Sequence, residues 1–260
     1  MKVDNLEVKK SVTREEMGKV AASDVVKAIK EVIAKKGEVN MIFAAAPSQN
    51  DVLKELIASD VDWSKVNAFH MDEYLGLPKT APQRFGNFLC EHIFNHLPFK
   101  SVNLIDSSNP SAEAECKRYS DLLNANPVDI VVLGIGENGH IAFNEPGSSL
   151  SSRTRVKTLT TDTIIANSRF FDNDVNKVPK TALTVGVGTV LSAKEVLILC
   201  NGHNKARALQ AAVEGSVTQM WTISALQMHE HGIIVCDEAA TVELKVGTYN
   251  YFKDIEKDNL

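Results

Sequence analysis

Five short apolar runs, rich in β-branched residues, constrain the fold of this 260-residue chain more than any other feature. In chain order they are VNMIFAAA, VNAFHM, VDIVVLGI, EVLILC and GIIVCD. Runs of this length, bounded by turn residues, predict strands that are buried on both faces. Helical patterns such as NDVLKELIAS, SAEAECKRYSDLLN and KARALQAAVEG separate the runs. This alternation predicts an α/β fold of three layers, a mostly parallel sheet with helices on both faces.

The segment from Thr13 to Gly37 has the pattern of an amphipathic helix. Thr13 and Glu16 can form a capping box at its start, and Gly37 is a typical stop. The apolar positions of the segment fall on one helical face: Met17, Val20, Ala21, Val25, Ala28, Ile29, Val32 and Ile33. We therefore expect this helix to pack against the sheet.

The composition predicts one globular domain over residues 1–260, because 44% of the residues are hydrophobic and no repeat or long linker interrupts the chain. The net charge of −5 provides no broad basic surface, so we expect binding to neither nucleic acid nor anionic membranes. The sequence contains no apolar signal-peptide core and no run of about 20 apolar residues, the length that spans a bilayer. We therefore expect a cytoplasmic protein.

The cysteines give no indication of a metal site. Cys90, Cys116, Cys200 and Cys236 are far apart in sequence and form no CxxC pair, which argues against a zinc knuckle and a redox motif. The H-x-E and P-C-x-x-C signature of zinc deaminases is also absent. We expect no bound metal and four buried, reduced thiols.

A glycine-rich stretch, GIGENGHIAFNEPGSS, follows the third apolar run. Gly134, Gly136 and Gly139 match the GxGxxG pattern of dinucleotide-binding folds. That fingerprint requires a helix to begin at the third glycine, but Pro146 follows shortly and a regular helix cannot continue through it. The alternative is that the glycines let the backbone approach a ligand closely, while nearby side chains carry the chemistry.

Two acid–base groups lie beside predicted strand ends. His140 lies five residues before Glu145; histidine as a residue type can give or take a proton near neutral pH, and a neighbouring carboxylate can fix its tautomer. Asp72 and Glu73 follow the run VNAFHM; an acid in this position often serves only as a helix or turn cap. Because the carboxyl ends of parallel strands share one edge, we expect a carboxylate there to face His140 across a crevice. Such a pair suits proton abstraction next to a carbonyl.

Five cations stand out in this acidic chain: Arg153, Arg155, Lys157, Arg169 and Lys205. Each of them could be an ordinary solvated surface charge. Arg169, however, lies beside two phenylalanines, and Lys205 opens a predicted helix directly after the run EVLILC. A cation together with the free N–H groups of a helix start forms a natural phosphate site.

The chain resembles the glucosamine-6-phosphate deaminase family, also called glucosamine-6-phosphate isomerases, over about residues 62 to 253. The motifs that carry the resemblance are MDEYLGLP, GIGENGHIAFNEPGSSLSSRTRVKTL, ANSRFFDNDVNKVPKTALTVGVGT, NGHNKARALQAAVEG, MWTISALQMH and CDEAATVELKVGTYNYF. A more distant relative, 6-phosphogluconolactonase, shares the Rossmann-like fold, but HIAFNEP resembles the deaminase branch. The resemblance implies conversion of an amino-sugar phosphate to fructose 6-phosphate and ammonia, with no metal or organic cofactor.

The resemblance also implies roles for individual residues. His140, supported by Glu145, resembles the residue that opens the pyranose ring. Asp72 resembles the base that takes the C2 proton and passes it to C1. Arg169 and Lys205 match the cations that hold the substrate phosphate.

Four further residues match positions that bind N-acetylglucosamine 6-phosphate at a subunit interface in allosteric members of the family: Ser148, Arg155, Lys157 and Tyr251. Such members are homo-oligomers, often hexamers built from trimers. We therefore expect a homo-oligomer. For the four residues two interpretations stay open, an effector site and side chains kept only as interface structure.

Two segments depart from the family pattern. Asn138 stands where well-studied bacterial members carry Asp, and it can hydrogen-bond but cannot ionise, so it would stabilise a charged His140 less. The loop FAAAPSQND replaces a glycine- and threonine-rich loop whose backbone N–H groups contact the phosphate. Pro47 has no N–H and Ala46 carries a methyl group, so close approach of the backbone to a ligand is hampered, whereas Ser48 and Gln49 keep side-chain donors.

These departures leave alternatives to glucosamine 6-phosphate as the substrate. The altered loop is compatible with the same chemistry on galactosamine 6-phosphate. A hydrolase similar to 6-phosphogluconolactonase would use the same histidine and cations. A further alternative is a non-catalytic regulator that binds sugar phosphates; in that case the altered loop and Asn138 would reflect the loss of catalysis.

Overall fold

Strands and helices alternate along most of the chain in the computed structural model, which describes residues 2–3 and 6–256. The strands are β1 Lys2–Val3, β2 Leu6–Ser11, β3 Val39–Phe43, β4 Val66–His70, β5 Asp72–Tyr74, β6 Ser101–Asn103, β7 Ile130–Gly134, β8 Arg155–Thr158, β9 Thr181–Thr184, β10 Glu195–Cys200 and β11 Gly232–Asp237. The helices are α1 Arg14–Lys36, α2 Asn50–Ile57, α3 Phe85–Leu89, α4 Ala112–Ala125, α5 Thr161–Asn167, α6 Val187–Leu191, α7 Ala206–Glu214 and α8 Val246–Glu256. Short 3₁₀ turns and a π-helical turn, Cys90–Phe94, lie between them.

The main sheet has eight strands in the order β1-β2-β11-β10-β7-β3-β4-β6. All neighbours run parallel except β1, which is antiparallel to β2. One apolar core lies between the sheet and α1, α2 and α3, and a second lies between the opposite face and α4, α6 and α7. The five apolar runs form β3, β4, β7, β10 and β11. The predicted three-layer α/β fold is therefore confirmed.

Helix α1 forms for the reasons that its sequence gives. The Thr13 side chain accepts from the N–H of Glu16, the Glu16 side chain completes the capping box, and Gly37 ends the helix with a left-handed φ of 83°. Of its apolar face, the residues that pack deepest in the sheet core are Met17, Ala21, Val25, Ala28 and Ile29, whereas Val20, Val32 and Ile33 are partly buried. The predicted contact with the sheet is confirmed.

A second, three-stranded sheet with the order β5-β9-β8 was not predicted. Its strands are antiparallel, and Asp72 pairs with Thr184 at the start of β5. Asp72 therefore does not follow β4 as a loose loop residue: it begins a new strand after the single residue Met71. This sheet packs through Tyr74 on Phe143 and Phe171 and stands over the carboxyl edge of the main sheet.

The connections of the main sheet create a crevice at one place. From β3 the chain continues to β4 on one side, whereas from β7 it continues to β10 on the other side. Because β3 and β7 are neighbours, the loops that follow them separate and leave a space between their carboxyl ends. Ligands of open α/β sheets bind at such switch points, and this one lies beside Asp72.

Two other expectations bear on the class of protein. No helix in the described part of the chain is long and apolar enough to cross a membrane, and the cytoplasmic location stays a prediction.

The four cysteines are free thiols; Cys200 and Cys236 are buried as expected, but Cys90 and Cys116 are only partly buried. That part of the prediction was wrong, because both lie on helix surfaces rather than on strands.

Candidate active site

A cleft of about 1210 Å³ opens at the crevice between the carboxyl ends of the strands. The loops after β3, β7 and β10, the strand β5 and the segment around α5 all contribute walls. The cleft is lined by six of the residues that the sequence predicted for catalysis and phosphate binding: Ser48, Asp72, Asn138, His140, Arg169 and Lys205. The structure thus brings these residues to a common space, with the seventh, Glu145, in contact with His140.

The glycine-rich stretch serves close packing of side chains. A Cβ on Gly136 would lie 2.5 Å from Nε2 of His140, so only glycine leaves room for the imidazole. Gly139 has a φ of 77°, and a Cβ there would lie 2.3 Å from the Trp221 ring. No helix begins at Gly139, because it is a bend that is followed by irregular chain at His140 and by the isolated bridge between Ile141 and Asn144. The stretch therefore lacks the helix that a dinucleotide site needs.

His140 and Glu145 form a hydrogen-bonded pair. Nδ1 of His140 lies 3.3 Å from Oε2 of Glu145, whose side chain is 2% exposed. Burial acts to raise the pKa of Glu145, but the hydrogen bond and charge of His140 and the hydrogen bond from Asn138 outweigh it and lower the pKa to about 2. The carboxylate is therefore ionised near neutral pH. It holds Nδ1 and leaves Nε2 as the ring atom that can exchange a proton with a ligand.

Asn138 connects the two members of this pair. Its Nδ2 donates to Oε2 of Glu145 at 2.9 Å, and its Oδ1 accepts from the backbone N–H of His140 at 3.2 Å. An Asp at this position would place a second carboxylate beside Glu145. The amide instead supplies a donor to Glu145, so Asn138 is compatible with the pair and has a geometric role in it.

The turn from His140 to Glu145 is held by the carboxyl-terminal part of the chain. The Thr222 hydroxyl donates to the carbonyl of Asn144 at 3.0 Å and accepts from the N–H of Ile141 at 3.3 Å. Ala142 has a φ of 50°, a left-handed conformation that costs about 1 kcal/mol for a residue with a Cβ. The buried bonds of Thr222 thus stabilise a strained turn that orients the histidine and its carboxylate.

The two adjacent acids after β4 have different environments. Glu73 caps the start of α3: its carboxylate accepts from the N–H groups of Tyr74, Phe85 and Gly86, each at 3.0 Å. Asp72 lines the cleft and is 8% exposed, and in the described residues its carboxylate has no hydrogen-bond or ion-pair partner. Burial and the charge of Glu73 raise the pKa of Asp72 to about 8. Glu73 is thus a structural cap, whereas Asp72 is free to contact a ligand.

Arg169 and Lys205 are cations that the protein itself does not neutralise. Across the described part of the chain, neither has a hydrogen bond or salt bridge to a carboxylate; the Arg169 guanidinium lies 4.8 Å from the centre of the Phe170 ring. Burial lowers the pKa of Lys205, and the charge of Arg169 lowers it further against the opposing effect of Glu137. Two unpaired cations in one cleft suit an anionic ligand such as a phosphate.

The four residues of the predicted effector site lie outside the cleft. Ser148 is in a loop, Arg155 and Lys157 are on β8, and Tyr251 is on α8. The Ser148 side chain is 2% exposed, and its hydroxyl has no hydrogen-bond partner in the described part of the protein. Arg155 donates to Oδ1 of Asn144 at 2.9 Å, and Tyr251 is exposed. The four residues thus lie on three different elements, and the N–H of Ser148 donates to the carbonyl of Glu145 at 3.0 Å, so Ser148 adjoins the catalytic candidates.

Sequence reasoning missed several residues that line the cleft. Tyr74 and Trp221 lie inside motifs that carry the family resemblance, but no role was predicted for them. Glu137 stands beside Asn138, and its Oε1 accepts from Nδ2 of Asn204 at 2.6 Å. No sequence pattern pointed to Arg14, because the residues that it contacts, Pro47 and Asp51, lie 33 and 37 residues further along the chain.

The known proteins that are similar to this chain belong to one family. The family model described as glucosamine-6-phosphate isomerases/6-phosphogluconolactonase matches residues 12–235. A glucosamine-6-phosphate deaminase of Phocaeicola vulgatus is 68% identical over 203 residues, which are 77% of this chain and 77% of that protein. The solved structure of a monomeric glucosamine-6-phosphate deaminase has a TM-score of 0.85 at 33% identity and covers 91% of this chain and 99% of its own. A 6-phosphogluconolactonase from Trypanosoma brucei shares the fold, with a TM-score of 0.78 at 17% identity over 94% of this chain and 100% of its own. The chain therefore belongs to the family of glucosamine-6-phosphate isomerases and 6-phosphogluconolactonases.

Proposed function

We propose that this protein is a glucosamine-6-phosphate deaminase, which isomerises its substrate and releases fructose 6-phosphate and ammonia. The observation that carries the proposal is the cleft itself, in which Asp72 and His140 share one space with two unpaired cations. The name of the relative that is 68% identical supports the choice of substrate. The remaining steps assign roles to this chain's residues.

His140 opens the sugar ring in the proposed mechanism. Its Nε2 takes the proton of the C1 hydroxyl and returns a proton to the ring oxygen as the bond between C1 and that oxygen breaks. Glu145 contacts Nδ1 and stabilises the imidazolium that exists between the two transfers. Asn138 keeps the Glu145 carboxylate in place through its 2.9 Å hydrogen bond.

Asp72 then carries out the isomerisation. Its carboxylate takes the C2 proton, an enolamine forms, and the same proton is delivered to C1, which leaves an imine at C2. Water adds to that imine and ammonia departs, so that one water is consumed for each ammonia released. A buried carboxylate with a pKa of about 8 is a stronger base than an exposed one, which suits removal of a weakly acidic C–H proton.

Arg169 and Lys205 bind the phosphate in this proposal, and the Ser48 hydroxyl donates to it from the loop after β3. The charge of both side chains is available because neither is in a salt bridge within the described residues. Binding of the phosphate by these residues would position C1 and C2 of the open-chain sugar between His140 and Asp72, as catalysis by proximity requires.

The effector and assembly roles extend the proposal. Ser148, Arg155, Lys157 and Tyr251 form a site for N-acetylglucosamine 6-phosphate when subunits of a homo-oligomer come together. The unpartnered, buried hydroxyl of Ser148 supports this, since such a group gains a hydrogen bond when a ligand binds. The solved relative at 33% identity is described as monomeric, which makes the oligomeric state a separate measurement.

An ammonia-release assay tests the function directly. Purified protein is expected to release equal amounts of ammonia and fructose 6-phosphate from glucosamine 6-phosphate, at a higher kcat/KM than from galactosamine 6-phosphate. A pH-stat assay with 6-phosphogluconolactone covers the hydrolase alternative, and the addition of N-acetylglucosamine 6-phosphate covers regulation. Binding of hexosamine phosphates without any turnover would overturn the proposal in favour of a non-catalytic regulator.

The rate is expected to depend on pH through Asp72. Asp72 must lose its proton to act as the base, and burial together with the charge of Glu73 raises its pKa to about 8. We therefore expect kcat/KM to rise about tenfold per pH unit between about pH 6 and 7.5 and to level off above about pH 8. NMR titration of the substrate alone separates its own ionisations from this profile. A kcat/KM that stays constant from pH 6 to 8 contradicts the assignment.

A further inference from the structure

Arg14, the first residue of α1, reaches the wall of the cleft. Its Nε donates to Oδ2 of Asp51 at 2.6 Å, and its Nη2 donates to the carbonyl of Pro47. Both acceptors belong to the segment that follows β3, so the guanidinium is fixed at that side of the cleft. A guanidinium has five N–H donors, and these two contacts leave three for a ligand.

The loop beneath Arg14 offers few donors of its own. Three alanines and Pro47 precede Ser48, and Pro47 has no N–H. The N–H of Ala44 donates to the carbonyl of Val132 at 3.1 Å and is not available to a ligand. Ser48 keeps a hydroxyl donor, but the loop FAAAPSQND carries no cation, and Arg14 is a cation that lines the same wall.

The loop that Arg14 contacts packs against two strands of the main sheet. The turn Pro47–Gln49 packs against β7 and β10. The segments that follow these two strands carry His140 and Lys205. Through its contact with Pro47, Arg14 is thus held on the side of the cleft where the proposed phosphate site lies.

We propose that Arg14 is a further substrate-binding residue, which donates to the phosphate of the amino-sugar phosphate together with Arg169 and Lys205. The proposal rests on the function proposed above. The forked guanidinium can bind two phosphate oxygens at once, as the backbone donors of a glycine-rich loop could have done.

Steady-state kinetics of Arg14→Met test the proposal. We expect KM for glucosamine 6-phosphate and Ki for inorganic phosphate each to rise about tenfold, the loss expected for one charge-assisted contact, while kcat stays within about twofold. Arg14→Lys keeps the charge but not the forked guanidinium, so its KM and Ki are expected to lie between those of the wild type and those of Arg14→Met. Lys19→Met, which removes a charge from the same helix at an exposed position, serves as the matched control and leaves both constants unchanged.

Asp51→Asn separates binding from a merely structural role. This change keeps the shape of the side chain but removes its charge, so it weakens the tie between Arg14 and the loop without removing the guanidinium. If Arg14 contacts the phosphate, KM in Asp51→Asn stays within about twofold of the wild-type value or falls. A rise in KM equal to that of Arg14→Met overturns the proposal, as does an unchanged KM and Ki in Arg14→Met.

Calorimetry keeps the test independent of turnover. Should the wild-type protein release no ammonia from any hexosamine phosphate, the proposed function fails. The Kd of inorganic phosphate is then compared between the wild type and Arg14→Met. A rise of about tenfold in Arg14→Met supports the anion contact, and equal values overturn it.

Discussion

Asp72→Asn is expected to lower kcat about a thousandfold and at the same time to stabilise the protein. Loss of a positioned general base typically costs this much, and the amide cannot accept the C2 proton. The folded structure should be retained, because Asn has the shape of Asp and the Asp72 carboxylate makes no hydrogen bond in the described part of the chain that the change could break. Turnover is measured by ammonia release at saturating substrate.

The stabilisation follows from the raised pKa of Asp72. The folded protein holds the proton up to about pH 8, whereas the unfolded chain releases it near the ordinary value of 3.8. Between these values the unfolded state gains free energy from ionisation, so the wild type loses stability as the pH rises from about 4 to 8. Asp72→Asn avoids this loss, and at pH 7 we expect it to add about 2–4 kcal/mol to the free energy of unfolding.

Thermal unfolding of both proteins between pH 4 and 8 measures this effect. The midpoint of Asp72→Asn should exceed that of the wild type by an amount that grows with pH and is close to zero near pH 4. Asp60→Asn, an exposed change on the surface, provides the control and should leave kcat unchanged. Full turnover in Asp72→Asn would show that Asp72 is not the base. An unfolding midpoint of Asp72→Asn below that of the wild type at pH 8 would contradict the free-energy cost assigned to burial of the Asp72 carboxylate.

His140→Gln is expected to lower kcat by about 10²–10⁴-fold for the cyclic substrate. Glutamine can hydrogen-bond to Glu145 as Nδ1 of His140 does, but it cannot accept and return a proton near neutral pH. The effect should fall on ring opening alone. An open-chain amino alditol phosphate, which has no ring to open, is therefore expected to bind His140→Gln with a Ki within about threefold of the wild-type value.

Two outcomes would argue against a ring-opening role. A large loss of affinity for the open-chain compound would mean that His140 binds the sugar rather than transferring protons. A kcat within about threefold of the wild-type value would mean that the ring opens without it. His96→Gln is the matched control, since His96 is exposed and its Nε2 contacts only the carbonyl of Glu91 among the described residues.

The main sheet could be predicted because its strands are buried on both faces. Such strands read as unbroken apolar runs, and β7 and β10 are examples. The strands of the second sheet are short and carry polar residues: β8 is RVKT and β9 is TALT. They form only because β9 lies between β5 and β8, and the residues paired in β5 and β9 are more than 100 positions apart. No local pattern in the sequence records such a pairing.

The candidate site was predictable where strand ends determine it. His140 and Lys205 follow strands of the parallel sheet, so their approach to one edge followed from the fold class. The separate environments of Asp72 and Glu73 could not be read from the sequence. Both are acids on one short strand, and only the tertiary structure shows which face of it meets α3 and which meets the cleft.

The pairing of β2 with β11 has a consequence for synthesis on the ribosome. These strands are parallel neighbours from Leu6 beside Gly232 to Ser11 beside Asp237, so the amino-terminal strand joins the main sheet through a segment translated more than 220 residues later. Until that segment leaves the exit tunnel, β2 cannot join the main sheet, and β10 presents an unpaired edge. A nascent polypeptide stalled before residue 232 thus exposes a strand edge that can pair with another chain and aggregate.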